Sequence, residues 1–468
     1  MLAAAAAAAA SLPASASAAE KRTPNANNKI TAGIIGCGIR GKAHARELSK
    51  LADCELTWVC DPDPTRADEV AALLVENKRP RPKTGQDLRV MLEDKSLDTV
   101  FVATPNHWHV LASIWAMQAG KDVYVEKPVS HNIVEGRRMV QAARKLGRVC
   151  QSGMQHRSNG PNAAAMRYMR EGKLGQVTLA RSIVYGGRGS IGGPGTFEVP
   201  AHVDYNLFAG PAPLGPLKRP KLHYDWHWFW DTGNGELGNN NVHSLDQLRW
   251  GLGVTGLGRG VISFGGRLGY KDAGETPNTQ VVIFDFGDKT IVSETRGLKT
   301  EPFNSAMKSG SIFYGSDGII AGGSLFDLKG NLVQNFEAEG ENHFANFLKA
   351  VRTRKTSELR AEIEEGHQSA ALCHLGNISY RLGRPAAPGE ISERLGELKA
   401  SAHAQEVFDR TRQHLASHQL DLTTTKLTLG PLLQIEAKEE RFKNNSAANA
   451  LLGREYRAPF TLPSEARI

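Results

Sequence analysis

Cysteine is scarce and odd in number: Cys37, Cys54, Cys60, Cys150 and Cys373 are the five thiols in 468 residues. That argues against a disulfide scaffold, and the first four fall in or beside expected strands, where a thiol acts as a small apolar core residue. Long hydrophobic runs are also missing. Past residue 19, nothing stays apolar for the ~18 residues a membrane-spanning helix needs. No basic block exists either: a formal charge of +8 comes from 57 Lys and Arg against 49 Asp and Glu spread along the chain, a solvated surface rather than a nucleic-acid patch. His223 and His227 have the spacing of a metal pair but lack a third ligand and a helical pattern, so no metal is expected. No internal repeat is found.

What remains is ordinary globular material, 40% hydrophobic and 23% charged, long enough for two to three domains. Met1 to Ala19 is nearly all Ala and Ser, with Ala16 and Ala18 before Glu20, like the apolar region and cleavage site of a secretory signal. An exported, periplasmic protein is therefore expected, or a cytoplasmic one if this segment is only an Ala-rich tail. The polar linker continues to residue 28.

From Ile30 the apolar run Ile-Thr-Ala-Gly-Ile-Ile breaks into Gly36-Cys-Gly-Ile-Arg-Gly41, with a helix expected to follow. Backbone N–H groups at such a helix start suit a pyrophosphate. A second strand, Glu55 to Cys60, closes on Asp61, about 20 residues beyond Gly41, where a carboxylate can accept hydrogen bonds from an adenosine ribose. Asp61 would repel a 2′-phosphate, so NAD is favoured; Arg66 nearby softens that preference, leaving NADP possible. Apolar strands then end in Thr104-Pro-Asn-His-Trp-His109 and in Glu126-Lys127-Pro128, and a last strand reaches Ser152. The strand-helix alternation over residues 29–152 implies a parallel sheet, a Rossmann domain whose strand ends line the ligand crevice.

Beyond it the rhythm changes. A loop rich in glycine, residues 186–195, precedes the aromatic stretch Tyr224-Asp-Trp-His-Trp-Phe-Trp230, whose alternating Trp226, Trp228 and Trp230 would form one apolar face of an extended segment. Asp231 to Asp246 leads into a helix, and several strands without intervening helices follow, so residues 153–385 read as an α+β domain with a large, mostly antiparallel open sheet. Residues 386–468 are a polar extension without a chemical signal.

Taken in order, the glycine turn, Asp61, Thr104 to His109, Glu126-Lys127-Pro128 and the segment Gly235 to Asp246 resemble the Gfo/Idh/MocA oxidoreductases over about residues 29–383. The resemblance implies a Rossmann domain joined to an α/β domain whose sheet faces the nicotinamide, and assembly into a homodimer or homotetramer through that open sheet. It implies cofactor contacts from Gly36, Gly38, Ile39, Arg40, Gly41, Asp61, Thr104, Pro105, Asn106, His109, Glu126 and Lys127, and a cis peptide before Pro128.

Hydride transfer from a carbinol needs a positioned cation and a proton acceptor. Lys127 can supply the cation, with Glu126 expected to point to the other side of the strand. His243, with a pKa near operating pH, is the candidate acid/base, and Asp246 one turn later could orient it. The family pattern has Asp four residues before the histidine; here Asn239 stands there, an amide that binds hydroxyls but takes no proton. Trp228 as a sugar platform, Asn239, and Gln155 and Arg157 beside the nicotinamide complete the expected substrate contacts, although Arg157 reads equally as an interdomain salt bridge. The function expected is oxidation or reduction of a sugar, sugar derivative or cyclitol hydroxyl with a tightly held NAD. The alternative is an NAD-dependent glycoside hydrolase working by transient oxidation, elimination and re-reduction, and a third is a non-catalytic sugar or NAD sensor.

Overall fold

The structure is a computed structural model that describes residues 29–304, 307 and 309–468; the alanine-rich leader read as an export signal lies outside the described residues. The chain begins β1 (Ile30–Ile35), α1 (Ile39–Leu48), β2 (Cys54–Cys60), α2 (Pro64–Glu76), β3 (Lys83–Gly85), α3 (Leu88–Leu92), β4 (Thr99–Val102), α4 (His109–Gln118), β5 (Asp122–Val125), α5 (Ile133–Lys145) and β6 (Cys150–Ser152). These six strands form one parallel sheet in the order β3-β2-β1-β4-β5-β6. Every residue of β4 and β5 is buried, as strands covered on both faces must be. The expected Rossmann sheet is present.

After α6 (Gly160–Arg170) come β7 (Val177–Tyr185), α7 (Tyr205–Ala209), α8 (Val242–Leu252), β8 (Gly260–Gly266), β9 (Thr279–Asp285), β10 (Thr290–Arg296), β11 (Gly310–Gly315), β12 (Ile319–Ala321), β13 (Ser324–Phe326) and β14 (Leu332–Asn335). Together with four short strands from the carboxyl-terminal residues they build a second, twelve-stranded sheet in which β7 and β10 run parallel and their other neighbours antiparallel. One face carries α6, α8 and α10 (Ile363–Arg381), through Met166, Leu245, Leu248, Leu372 and Leu375 against Val261, Val282 and Phe284. Helix α10 is buried nearly all round and also packs on α5 and β6, so it holds the two sheets together. The preceding helix α9 (His343–Thr353) turns back to the first sheet, burying Phe344 and Phe347 against Phe101 and Tyr124.

The carboxyl-terminal residues do more than their sequence signals. Residues from β15 (Arg384–Ala386) and β16 (Leu427–Leu429) extend the second sheet, and β17 (Leu433–Glu436) pairs with β8. Helices α11 (Pro388–Gly396) and α12 (Ser401–Ser417) lie on its other face, where Ile391, Leu395, Val407, Phe408 and Leu415 meet Leu179, Ile262, Phe264 and Ile283. Buried charges register this docking: Glu294 accepts from Arg181 at 3.3 Å and from Arg410 of α12 at 3.0 Å. The face through which the resemblance implied self-assembly is thus already covered by the chain itself over β7 to β10.

Phe408 is fully buried and meets Phe264 edge to face at 5.5 Å. Phe408→Ala is expected to cost about 3–5 kcal/mol through lost burial and the cavity left behind, read as a lower midpoint in urea unfolding.

Candidate active site

The glycine turn works because two positions have no side chain. Gly36 sits at φ +91°, and a Cβ there would lie 2.7 Å from the Ala103 carbonyl; a Cβ on Gly41 would overlap the Gly36 carbonyl oxygen. Helix α1 can therefore start hard against the strand ends, leaving its first N–H groups free to point into the crevice. Asp61 stands at the end of β2, where its Oδ2 accepts the Cys37 N–H at 2.7 Å and its Oδ1 the Asp63 N–H at 2.9 Å. Burial raises its pKa to about 6, against the pull of the Asp63 and Cys37 N–H groups.

A cleft of about 300 Å³ runs from this turn past Asp61, Thr104, Pro105, Asn106 and His109 to Lys127 and Asn239. Ile39 stands 75% exposed at its edge. The Thr104 hydroxyl is buried in its wall with no protein partner among the described residues. A side-chain-free cradle at a helix start, a carboxylate at the second strand and this unpaired hydroxyl fit a dinucleotide. The opposite wall comes from the second half of the chain: Leu207, Phe208, His223, Tyr224, Trp226 and His227. His223 is tied down by Asp63 at 2.9 Å.

Several expected contacts are spent on the frame. His109 engages the Pro128 carbonyl at 2.6 Å and the Thr104 carbonyl at 2.8 Å through its two ring nitrogens, and Asn106 donates to Asn234 at 2.9 Å. Arg40, expected on the dinucleotide, donates through Nε to Glu126 at 2.7 Å while still bordering the cleft. Gln155 donates to Tyr124 and, at 3.1 Å, to Glu126. Glu126 is thus no isolated neighbour. Burial alone would raise its carboxyl, but the His44 hydrogen bond at 2.8 Å and the Arg40 charge outweigh it and hold it well below the carboxylate range.

Lys127 lies at the cleft floor. The peptide to Pro128 is cis, as the resemblance implied. Its Nζ donates to the backbone carbonyl of Asn239 at 2.6 Å, and burial lowers its pKa despite the neighbouring Glu126. That carbonyl is available because residues Leu237–Asn241 form a π-helical turn ahead of α8, a distortion that often marks a functional site. The Asn239 side chain donates to Glu236 at 3.4 Å and also faces the cleft.

His243 and Asp246 are on α8 but do not form the expected pair. Asp246 is captured by Arg157, whose Nε donates at 2.8 Å, and by the Ser369 hydroxyl at 2.8 Å. Arg157 also bonds Glu365 at 2.9 Å and covers Trp250, so it is the interdomain bridge and not a nicotinamide contact. His243 instead stacks on His156 with ring centres 4.7 Å apart, and its Nδ1 is buried without a partner among the described residues. Burial, then the neighbouring Lys127 and His156, push its pKa well below the usual value. Trp228 is also misplaced by the alternating pattern: residues Asp225–Trp228 form a 3₁₀ turn, which buries Trp228 beneath the Arg188 guanidinium. The aromatic surface in the cleft is Trp226, stacked on His227 at 3.6 Å.

Sequence reading gave no site role to Glu236, Arg188 or His156, and weighed His227 only as a metal ligand. Glu236 was visible as an acid inside the glycine-rich lead-in to the helix; the others gain meaning only once the chain has folded over the cleft.

A parallel sheet whose glycine turn, Asp61 and Lys127 border one cleft, closed by a second, mixed-sheet domain, is the arrangement of a dinucleotide-binding Rossmann domain with an attached α/β domain. Residues 30–154 match the model of the oxidoreductase family with an NAD-binding Rossmann fold, and residues 195–394 match that family's C-terminal alpha/beta domain. The chain belongs to the Gfo/Idh/MocA family. It is similar to the WlbA dehydrogenase from Bordetella pertussis, solved in complex with NADH and UDP-GlcNAcA, at 20% identity and a TM-score of 0.58 over 76% of this chain and 97% of that one. It is 30% identical over 152 residues to a glycosyl hydrolase family 109 protein of Shewanella putrefaciens, covering 32% of this chain and 33% of the relative. An alpha-N-acetylgalactosaminidase of Shewanella oneidensis matches at 28% over the same length, 32% of this chain and 33% of that one. The chain thus spans about a third of the length of these curated relatives.

A ribose held by Asp61 would be accepted best by its carboxylate form. NAD affinity, measured by fluorescence titration, is expected to weaken as pH falls through about 6, where Asp61 takes up its proton. Asp61→Asn should lower affinity roughly 10- to 100-fold at neutral pH and abolish that dependence.

Proposed function

We propose that this chain transfers hydride between NAD and a hydroxyl-bearing carbon of a sugar or sugar derivative. The observation that carries this reading is Lys127 Nζ, held by the Asn239 carbonyl at 2.6 Å on the floor of the dinucleotide cleft. Bound NAD supplies the hydride acceptor or donor. Lys127, its pKa drawn down toward operating pH by burial, takes the hydroxyl proton on Nζ during oxidation and returns it during reduction. His243, neutral at neutral pH, does not share the proton load. This reverses the division of labour expected from the sequence, in which Lys127 supplied the cation and His243 the acid/base. Trp226 and His227 offer the sugar a flat apolar surface, and the Asn239 amide a hydroxyl partner.

The wall built by Leu207, Phe208, His223 and Tyr224 over the cleft supports slow exchange of the cofactor. The UDP-sugar bound by the Bordetella dehydrogenase supports the sugar class. The likeness to family 109 proteins supports a second reading, hydrolysis through transient oxidation and no net NADH, although it reaches only 152 residues.

Both are tested together with the purified protein, NAD and a panel of free sugars and aryl glycosides. NADH appearing at 340 nm is the expected result; aglycone release without NADH supports the hydrolase. Lys127→Met is expected to lower turnover roughly 10²- to 10⁴-fold while NAD affinity changes only a few-fold. Equal loss of both would remove Lys127 from the chemistry.

A further inference from the structure

Glu236 is 3% exposed, a carboxylate almost wholly withdrawn from water within a site whose sequence pattern has lost its aspartate. Its oxygens are fully engaged. Oε2 accepts from Arg188 Nε at 3.2 Å and Asn239 Nδ2 at 3.4 Å, while Oε1 accepts from Arg188 Nη2 at 3.1 Å and from Asn240 Nδ2. Both amides belong to the π-helical turn whose Asn239 carbonyl receives Lys127. The carboxylate therefore grips the turn by two side chains while Lys127 grips it by the backbone.

We infer that Glu236 is a positioning residue that restores the negative charge missing at Asn239, fixing the π-helical turn against Lys127 and setting the electrostatic environment of its amine through the half-buried Arg188. The inference rests on Lys127 being the proton carrier proposed above.

The groups facing Lys127 leave room for such control. From β5 comes Glu126, matched by Arg40 of α1. Cys373 of α10 is kept a thiol by burial. His109, His156, His227 and His243 are each pushed down by burial and are neutral at neutral pH. The charges left are thus two carboxylates, Glu126 and Glu236, each balanced by one arginine. Arg40 is fixed at the glycine turn. Arg188 sits on the loop at 186–195, with its side chain 29% exposed and packed over Trp228, and donates to the Tyr224 hydroxyl at 3.2 Å. Tyr224 and Asn239 both border the cleft, so a substrate that draws Arg188 away from Glu236 would leave an unbalanced carboxylate near Lys127 and raise its proton affinity.

The two members of the pair make opposite predictions, which a purely structural role does not. The pKa of Lys127 is read from the pH dependence of trace acetylation of its Nζ, followed by mass spectrometry on the full chain saturated with NAD; no substrate is needed. Glu236→Gln, nearly isosteric, is expected to shift it down by roughly half a unit to one unit, and Arg188→Met to shift it up by a similar amount. Glu236→Asp, which keeps the charge, should stay near the parent value. Equal shifts for both variants, or none in variants that retain the parent melting temperature, would overturn the inference. If the shifts appear but no sugar is turned over, the positioning role stands and the proposed reaction fails.

Discussion

The arrangement depends on one buried carboxylate. Glu126, 3% exposed, joins the glycine helix through Arg40 and His44, the end of β5 through the backbone and the segment after β6 through Gln155. A charge that deep is tolerable only when fully partnered, and removal of a partner from such a cluster typically costs about 3–5 kcal/mol. Its saturation is what permits a lysine to follow it directly. With Arg40 already committed to Glu126, Lys127 is left to reach across the cleft to the second domain and meet Asn239. The same contact that stabilises the dinucleotide turn thus aims the lysine.

The first sheet was legible because parallel strands repeat one signal: apolar run, turn, helix. The glycine turn could be read with its acid because the steric demands at Gly36 and Gly41 are local in origin, each answered by the absence of one side chain. The site was legible as residue types and less so as pairings. Asp246 at helical spacing from His243 suggested an orienting pair, yet a guanidinium arriving from residue 157 competes for that carboxylate with charge-assisted bonds from two nitrogens, against which a neutral imidazole offers little. Asn239 does border the cleft, but the π-helical turn brings its backbone carbonyl, which no sequence pattern reports, to Lys127. Trp228 failed for a related reason, because a 3₁₀ turn does not preserve the two-residue alternation of a strand.

The carboxyl-terminal residues were silent because their role is entirely relational. Helix α12 has an ordinary mixed pattern whose apolar side makes sense only against the second face of a sheet whose partner strands lie far away in the chain. The tail beyond β17 is more irregular still. There Arg454 donates to the carbonyls of Asp231 and His107 and pairs with Glu135, while Phe460 packs edge to face on Trp108. These contacts bind the loop after β4 to the approach of the π-helical turn from behind. Their chain length supplies what the regular elements lack, a clasp across the domain boundary.

Burial then explains the chemistry that the residue types alone left ambiguous. A desolvated cation and a desolvated imidazole both lose affinity for protons, but from different starting points. The imidazole begins near neutrality and is driven below it; the amine begins well above and is brought closer. In the proposed reaction, one environment therefore favours Lys127 over His243 as the proton carrier. A site that excluded less water would have given the reverse assignment, the one the sequence suggested. What decides it is the wall of aromatic and apolar side chains over the cleft, supplied by a segment whose sequence carries no catalytic group but which sets the dielectric in which the others act.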